Sequence, residues 1–274
     1  MQGLLTIAHL TWLEARRRRI VLAALICGIG FVVVYAIAVY FMNRSFSTAG
    51  LQRQMQLQLL TLVGLYAVNF LVAALAVMLP VDTLSGEMAS GVMQTIASKP
   101  VRRAEIVLGK WLVYGLMNAG YIVIMAGGVV LVMRVITGFA QQRIAGAFGL
   151  MVLEATVLLS ITIVGGVRFS TVTNGIVAFA LYGVAFIGGW IEQVGVVVGN
   201  ATARYIGTAI SLVSPPDAMW RLAVYELPPP FMRTVQLGPF SPASVPSSAM
   251  VWWAMGYIIV ALALAIRGFQ KRAL

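Results

Sequence analysis

The residues that could carry chemistry in this sequence are few and widely spaced. The chain has one histidine (His9), one cysteine (Cys27) and eight acidic residues in 274. A metal site needs several such ligands together, and nucleophilic catalysis needs a nucleophile beside a base, so this set supports neither. We therefore predict that the chain is not an enzyme and holds no metal or cofactor of its own.

Two of the acidic residues lie inside strongly apolar runs. Glu154 is near the middle of "AGAFGLMVLEATVLLSITIVGG", and Glu192 is near the end of a run over 174–198. An acid at the centre of a bilayer costs about 2.5–3.5 kcal/mol, so it should face a cavity or a polar partner. Both residues are candidates for a substrate path, and Glu154 could also carry protons. The alternative is a structural hydrogen bond to a neighbouring helix.

The elements that position these acids are predicted to be membrane-spanning helices. The chain is 61% hydrophobic and 10% charged, whereas soluble domains carry about 25% charged residues. Apolar runs of eighteen or more residues are long enough to cross a bilayer as helices. The sequence therefore predicts an all-α polytopic membrane protein with a single transmembrane domain over 1–274. The six predicted spans are about 20–42, 58–80, 107–133, 145–166, 174–198 and 249–267.

The basic residues predict the orientation of these spans. Six spans place both termini on one side, and that side holds twelve of the nineteen Lys and Arg residues. Cytoplasmic loops carry the excess of positive charge, so we predict cytoplasmic termini. The formal net charge of +11 is then explained by orientation and needs no nucleic-acid partner. Residues 1–19, which end in "RRRR", are predicted to form an interfacial helix on the cytoplasmic leaflet.

A polar segment connects the second and third spans. It contains an apolar stripe in which Leu84, Met88, Val92 and Ile96 recur every four residues, the spacing of one helix face. Lys99-Pro100 should end this helix, because the residue before proline is disfavoured in the α conformation. The stripe could rest on lipid headgroups or dock into a groove of a protein partner. The residues alone favour neither interpretation.

The stretch "GEMASGVMQTIASKPVRRAEIVLGK" (86–110) resembles the corresponding segment of ATP-binding-cassette transporter permeases of the type-two exporter family. Gly91-Val92-Met93 stands where that family often has Gly-Thr-Leu. A second stretch, "SPPDAMWRL" (214–222), is similar to a pattern in the permease associated with nitrous oxide reductase maturation. The residues that match the first pattern are Glu87, Gly91, Pro100, Val101, Arg103, Glu105, Ile106, Gly109 and Lys110.

The resemblance implies a permease subunit of an exporter in a bacterial or archaeal cytoplasmic (inner) membrane. Residues 84–98 would be the coupling helix, which docks on a separate ATPase subunit that binds ATP and Mg. This chain has no G-x-x-x-x-G-K-[ST] motif for phosphate, since Gly109-Lys110 is followed by Trp111. The family also implies a homodimer, or a heterodimer with a related permease. The implied docking residues are Leu84, Glu87, Met88, Gly91, Val92 and Ile96, and the implied helix-junction residues are Pro100, Arg103, Glu105, Gly109 and Lys110.

Two other functions remain open at this stage. The chain could be an ATP-driven mechanical transmitter or anchor for a periplasmic assembly factor, with the outer segment 199–248 as the contact surface. This segment is predicted to contain one or two short helices lying on the outer face, joined by rigid proline-rich stretches. Alternatively, the chain could be a secondary transporter driven by protons through Glu154. The absence of recognisable repeated halves counts against that alternative.

Overall fold

The computed structural model describes residues 2–45, 50–89, 102–141, 143–228 and 242–271. All regular structure in these ranges is helical, which confirms the predicted fold class. The helices are α1 (Gln2–Ala15), α2 (Arg19–Ser45), α3 (Leu51–Met78), α4 (Ser85–Ala89), α5 (Arg103–Thr137), α6 (Ile144–Arg168), α7 (Thr171–Val198), α8 (Ala201–Val213), α9 (Pro216–Glu226) and α10 (Ala249–Lys271).

Six of these helices are long and apolar enough to cross a membrane: α2, α3, α5, α6, α7 and α10. Three of them, α2, α5 and α6, begin and end outside the predicted spans. The largest difference is in α3, which begins at Leu51 against a predicted start of about 58. The longest helix is α5, which has 35 residues and is therefore roughly 50 Å long. That length exceeds a hydrocarbon core of about 30 Å, so α5 extends beyond the bilayer.

The centre of the bundle is formed by α3 and α6. In their most apolar stretches 67% and 61% of residues are buried within the protein, against 11% for α2. Leu65, Ile122 and Leu158 are almost completely buried and belong to one continuous core. The outward faces of α2 and α7 carry exposed apolar side chains, as expected for helices that contact lipid. Glu154, in the central helix α6, is thus enclosed by protein.

The bundle has two distinct ends, which we name by the short helices found there. At the α4 end, α1 and α4 lie beside the C-terminal parts of α3, α6 and α10 and the N-terminal parts of α5 and α7. At the α8 end, α7 stops at Gly199, whose positive φ of 72° is favourable only for glycine. The side chain of Asn200 then caps α8 by accepting a hydrogen bond from the Ala203 amide.

The segment after α7 contains two short helices, as predicted, but α8 does not lie across the outer face. It turns back and packs antiparallel along α7. A Cβ atom on Gly195 would be 2.9 Å from the Ala203 Cβ, and one on Gly207 would be 2.6 Å from the Gly188 carbonyl oxygen. Glycines on both helices therefore permit this close approach. The Ser214 hydroxyl reaches the Leu181 carbonyl at 3.1 Å, so α8 descends by several turns of α7.

Candidate functional site

The predicted coupling segment begins with α4, and its first residues are held tightly by the rest of the chain. Leu84 is only 1% exposed and packs in the core. The Ser85 hydroxyl lies 2.9 Å from the Thr171 hydroxyl at the start of α7. The described contacts of Leu84 are thus within this chain, and its predicted role in docking stays a prediction. Gly91, Val92, Ile96 and Pro100 lie outside the described residues, as does the Met88 side chain.

Glu87 forms a buried ion pair with Lys110 of α5. The Lys110 ammonium also donates to the Thr83 carbonyl oxygen at 3.3 Å. Lys110 is only 3% exposed. Burial raises the pKa of the Glu87 carboxyl, while the Lys110 charge acts in the opposite direction. Two residues that the sequence assigned to different roles, docking and helix junction, therefore meet in one contact. This contact joins α4 directly to α5.

A second group of charges joins α1 to the turn before α4. The Arg18 guanidinium bonds to Glu14 of α1 at 2.6 Å and to Asp82 of the turn. Near it, the Tyr114 and Thr83 hydroxyls lie 2.5 Å apart. In the sequence, Arg18 indicated only the orientation of the spans. Its pairing with Asp82 was missed because these residues are 64 positions apart and no local spacing connects them.

The junction residues hold α5 against the N-terminal and C-terminal helices. Arg103 donates to the Phe269 and Gln270 carbonyl oxygens of α10 at 2.9 and 3.0 Å. The Glu105 carboxylate accepts a hydrogen bond from the Arg102 amide at 3.1 Å and so caps α5. A Cβ atom on Gly109 would lie 2.9 Å from Ile7, so this glycine lets α1 approach α5 closely. These residues have structural contacts that explain their types.

Glu154 lies in the middle of α6 and is 1% exposed. One of its carboxylate oxygens accepts a hydrogen bond from the Asn69 amide of α3 at 3.0 Å. The other has no hydrogen-bond partner among the described residues. Asn69 also lines a cavity of about 410 Å³ with Tyr66, Tyr182 and Trp220. The predicted polar partner thus exists, and it stands between the acid and an aromatic cavity.

Glu192 belongs to a buried charge cluster at the α8 end. The Arg221 guanidinium of α9 donates to Glu192 at 3.0 Å, to Asp217 at 2.9 Å and to the Ser211 hydroxyl at 3.1 Å. The Ser244 hydroxyl donates to the second Glu192 oxygen at 2.5 Å. We name Arg221, Asp217 and Glu192 the Arg221 cluster. Although Asp217 faces Arg221, its burial raises its pKa to about 7.

The pairing of Arg221 with Glu192 was not predicted from the sequence. The available signal was the spacing of Asp217 and Arg221, which are four residues apart and therefore lie on one helix face. The position of Glu192 could not be inferred in the same way, because its pairing depends on the reversal of the chain at Gly199. The motif "SPPDAMWRL" has a physical explanation in this cluster. It supplies both the acid and the base that fix α9.

The comparison with protein families agrees with this architecture. The family model described as "ABC-2 family transporter protein" matches residues 5–274, which is nearly the whole chain. A comparison with curated proteins gives no match. The similarity to the permease associated with nitrous oxide reductase maturation is not confirmed and stays a prediction. With six helices fit to span a membrane and a family match over almost its full length, this chain belongs to the ABC-2 family of transporter proteins.

Proposed function

We propose that this chain is the permease subunit of an exporter and that a separate ATPase subunit docks on residues 84–98. Membership of a transporter family supports the permease role. The observation that carries the docking proposal is the attachment of α4 to three other parts of the bundle. Its residues contact α5 through Glu87 and α7 through Ser85, and the turn before it contacts Arg18, between α1 and α2, through Asp82.

These contacts provide a route from the docking segment to the spanning helices. A displacement of α4 would pull on Lys110, which lies near the start of the long helix α5. It would also shift the turn that follows α3, since the Thr83 carbonyl oxygen accepts from the same ammonium group. Packed helices respond to such shifts by moving as rigid bodies. Motion of a docked ATPase would therefore change the packing of α3, α5 and α7 together.

The same proposal fixes the orientation of the chain. The α4 end carries the four-arginine run 16–19 together with Arg103 and Lys110, and cytoplasmic ends of spanning helices are enriched in such residues. We assign this end to the cytoplasm of a bacterial or archaeal cell. Two copies of the chain, or one copy and a related permease, would form the complete transporter. The exposed apolar faces of α2 and α7 are available for lipid or for such a partner.

Copurification with the cognate ATPase tests the docking proposal. We expect the double variant Met88→Asp and Val92→Asp to abolish copurification of the ATPase with the tagged chain, because two charges interrupt the apolar stripe. The matched control is Leu51→Asp with Gln52→Asp, which places two charges on exposed positions at the α8 end. That control should keep the ATPase bound. An intact complex in the first variant would refute docking on this segment.

The roles of Glu154 and Glu192 in a substrate path stay predictions. The contacts of Glu192 with Arg221 and Ser244 support a structural role for it. Glu154 has an unpartnered oxygen beside Asn69 and the aromatic cavity, which supports a role in transport. We expect Glu154→Gln to lower export by the complete transporter while the ATPase still copurifies. Unchanged export would remove Glu154 from the path, and gradient-driven uptake without ATP would favour the proton-driven alternative.

A further inference from the structure

A polar cavity of about 550 Å³ lies at the α8 end, between α7, α8, α9 and the start of α10. Its charged lining residues are Arg204, Arg221 and Glu192. Four hydroxyl side chains also line it: Thr208, Ser211, Ser244 and Ser247. It is distinct from the aromatic cavity near Glu154, which shares none of these residues. The lining is thus rich in hydrogen-bond donors.

Arg221 gives the cavity a hydrogen-bond donor that is held in a fixed orientation. The residue is 1% exposed, and three hydrogen bonds through Nε and Nη2 fix the guanidinium plane. Its Nη1 atom is buried and has no hydrogen-bond partner among the described residues. A buried guanidinium nitrogen without an acceptor costs free energy that a bound acceptor would recover. The unpaired nitrogen therefore indicates a ligand with acceptor oxygens.

The hydrogen-bond donors of the lining favour an anion over a cation. The two acids that pair with Arg221 offset its charge, but Arg204 adds a second positive charge to the lining, and both Glu192 oxygens already accept hydrogen bonds from Arg221 and Ser244. Asp217 bonds to Nε of Arg221 and does not line the cavity. Guanidinium groups match the geometry of phosphate oxygens, and phosphate has enough oxygens for several donors at once. Arg204 is exposed at the rim, where it could reach the same group.

The remaining walls indicate that the ligand has an apolar or organic body as well. Leu212, Met250 and Trp253 line the same cavity, whose volume is far larger than a phosphate ion requires. The Trp253 indole is held by a hydrogen bond to the Leu212 carbonyl oxygen at 3.0 Å. Tryptophan is enriched at the depth of lipid headgroups. The cavity thus combines donors for an anion with an apolar wall at the membrane boundary.

We infer that this cavity binds a phosphate ester, with the phosphate held by Arg221 and Arg204. The phosphate could belong to a phospholipid headgroup or to a small soluble phosphate ester, since both offer the same oxygens. This site does not depend on the proposed ATPase docking, which concerns the opposite end of the bundle. Failure of either proposal would leave the other intact.

Native mass spectrometry of the full chain, solubilised in detergent and stripped of lipid, tests the inference. The three probes are phosphatidylglycerol, glycerol 3-phosphate and inorganic phosphate, and diacylglycerol serves as the lipid without phosphate. We expect saturable binding of a phosphate probe and none of diacylglycerol. Binding of phosphatidylglycerol alone would identify a lipid as the source, whereas binding of glycerol 3-phosphate would identify a soluble ester. No saturable binding by any phosphate probe would overturn the inference.

Substitutions separate this site from general attraction of anions. Arg204→Gln changes an exposed side chain and should leave the fold intact, and we expect it to weaken binding by about tenfold. Arg134→Gln removes the same charge from another exposed position at the α8 end, outside the cavity, and should leave binding unchanged. Arg221→Lys keeps the charge but loses the forked donor, so it should also weaken binding. Equal binding by the wild type, Arg204→Gln and Arg134→Gln would refute the assignment.

Discussion

The two ends of the bundle use charged residues in different ways. At the α4 end, the two ion pairs of Arg18 lie near the surface, with Asp82 and Glu14 substantially exposed, beside one buried pair between Glu87 and Lys110. At the α8 end, the Arg221 cluster is buried, and one guanidinium holds α7, α8 and α9 together. Exposed pairs contribute little and can exchange partners, whereas a buried charge cannot lose its partners without a large penalty. The comparison suggests a movable end and a fixed end.

The largest expected effect comes from breaking the fixed end. Arg221→Ala would leave Asp217 and Glu192 buried without their counter-charge. Removal of one partner of a buried ion pair typically costs about 3–5 kcal/mol. We expect most of this variant to be lost as aggregate in fluorescence-detected size-exclusion chromatography. Arg204→Ala, at an exposed position of the same end, should behave like the wild type, and a stable Arg221→Ala protein would contradict the idea of a fixed end.

A smaller effect is expected from the close packing of Asp217, a member of the Arg221 cluster, against Gly189 of α7. A Cβ atom on Gly189 of α7 would overlap the Asp217 carboxylate. Gly189→Ala should therefore lower the free energy of unfolding by about 1–3 kcal/mol, the usual cost of overpacking. The matched control is Gly183→Ala on the same helix, where a Cβ meets nothing within 4 Å. Thermal unfolding of the two variants in detergent compares them, and equal melting temperatures would show that the contact is not tight.

The α8 end also shows how much of the structure the sequence predicts. Long apolar runs specify six spanning helices, because a bilayer accepts little else. The chain reversal at Gly199 was not predicted, since a glycine and a following amphipathic stretch fit equally well with a helix lying on the surface. Only the contacts of Gly195 and Gly207 with the opposite helix distinguish the two arrangements. The Arg221 cluster depends on that reversal, so it could not be assembled from sequence.

At the α4 end, too, contacts between helices could not be predicted from the sequence. The sequence correctly placed Glu87 and Lys110 near each other along the chain, but it assigned them to docking and to the helix junction. Their ion pair depends on the turn between α3 and α4, which brings positions 23 residues apart into contact. Helical periodicity predicts which residues share one face of a helix. It does not predict which of them already contact other helices of the same chain. Leu84 is buried in the core, a position that the apolar stripe alone did not indicate, and its docking role stays a prediction.

The third prediction concerns the α4 end and how the stability contributed by Glu87 depends on pH. Burial raises the pKa of Glu87, so the folded chain binds this proton more tightly than the unfolded chain does. The contribution of Glu87 to stability therefore falls as the pH rises from the ordinary glutamate range through the raised pKa. The double variant Glu87→Gln with Lys110→Met should unfold within about 1 kcal/mol of the wild type at neutral pH, because it removes both charges of the buried pair together.

Melting temperatures of the wild type and of the double variant Glu87→Gln with Lys110→Met, measured between pH 5 and pH 8, check this sign. The wild type should gain stability relative to the variant as the pH falls. Lys110→Met is the complementary variant, since it leaves the acid buried without its partner, and it should steepen the pH dependence. An opposite slope would mean that the ion pair with Lys110 outweighs the burial of the carboxyl.

The smallest effect is expected at Asp82, an exposed acid of the turn before α4 that contacts Arg18 between α1 and α2. Its carboxylate pairs with Arg18, but its side chain is 43% exposed, and exposed ion pairs contribute about 0.2–1 kcal/mol. Asp82→Asn should therefore leave the melting temperature almost unchanged. A double-mutant cycle with Arg18→Gln would measure the coupling of the pair directly. A coupling free energy as large as that of the buried Arg221 cluster would make both ends fixed, and the proposed transmission of motion through α4 would then need another element to move.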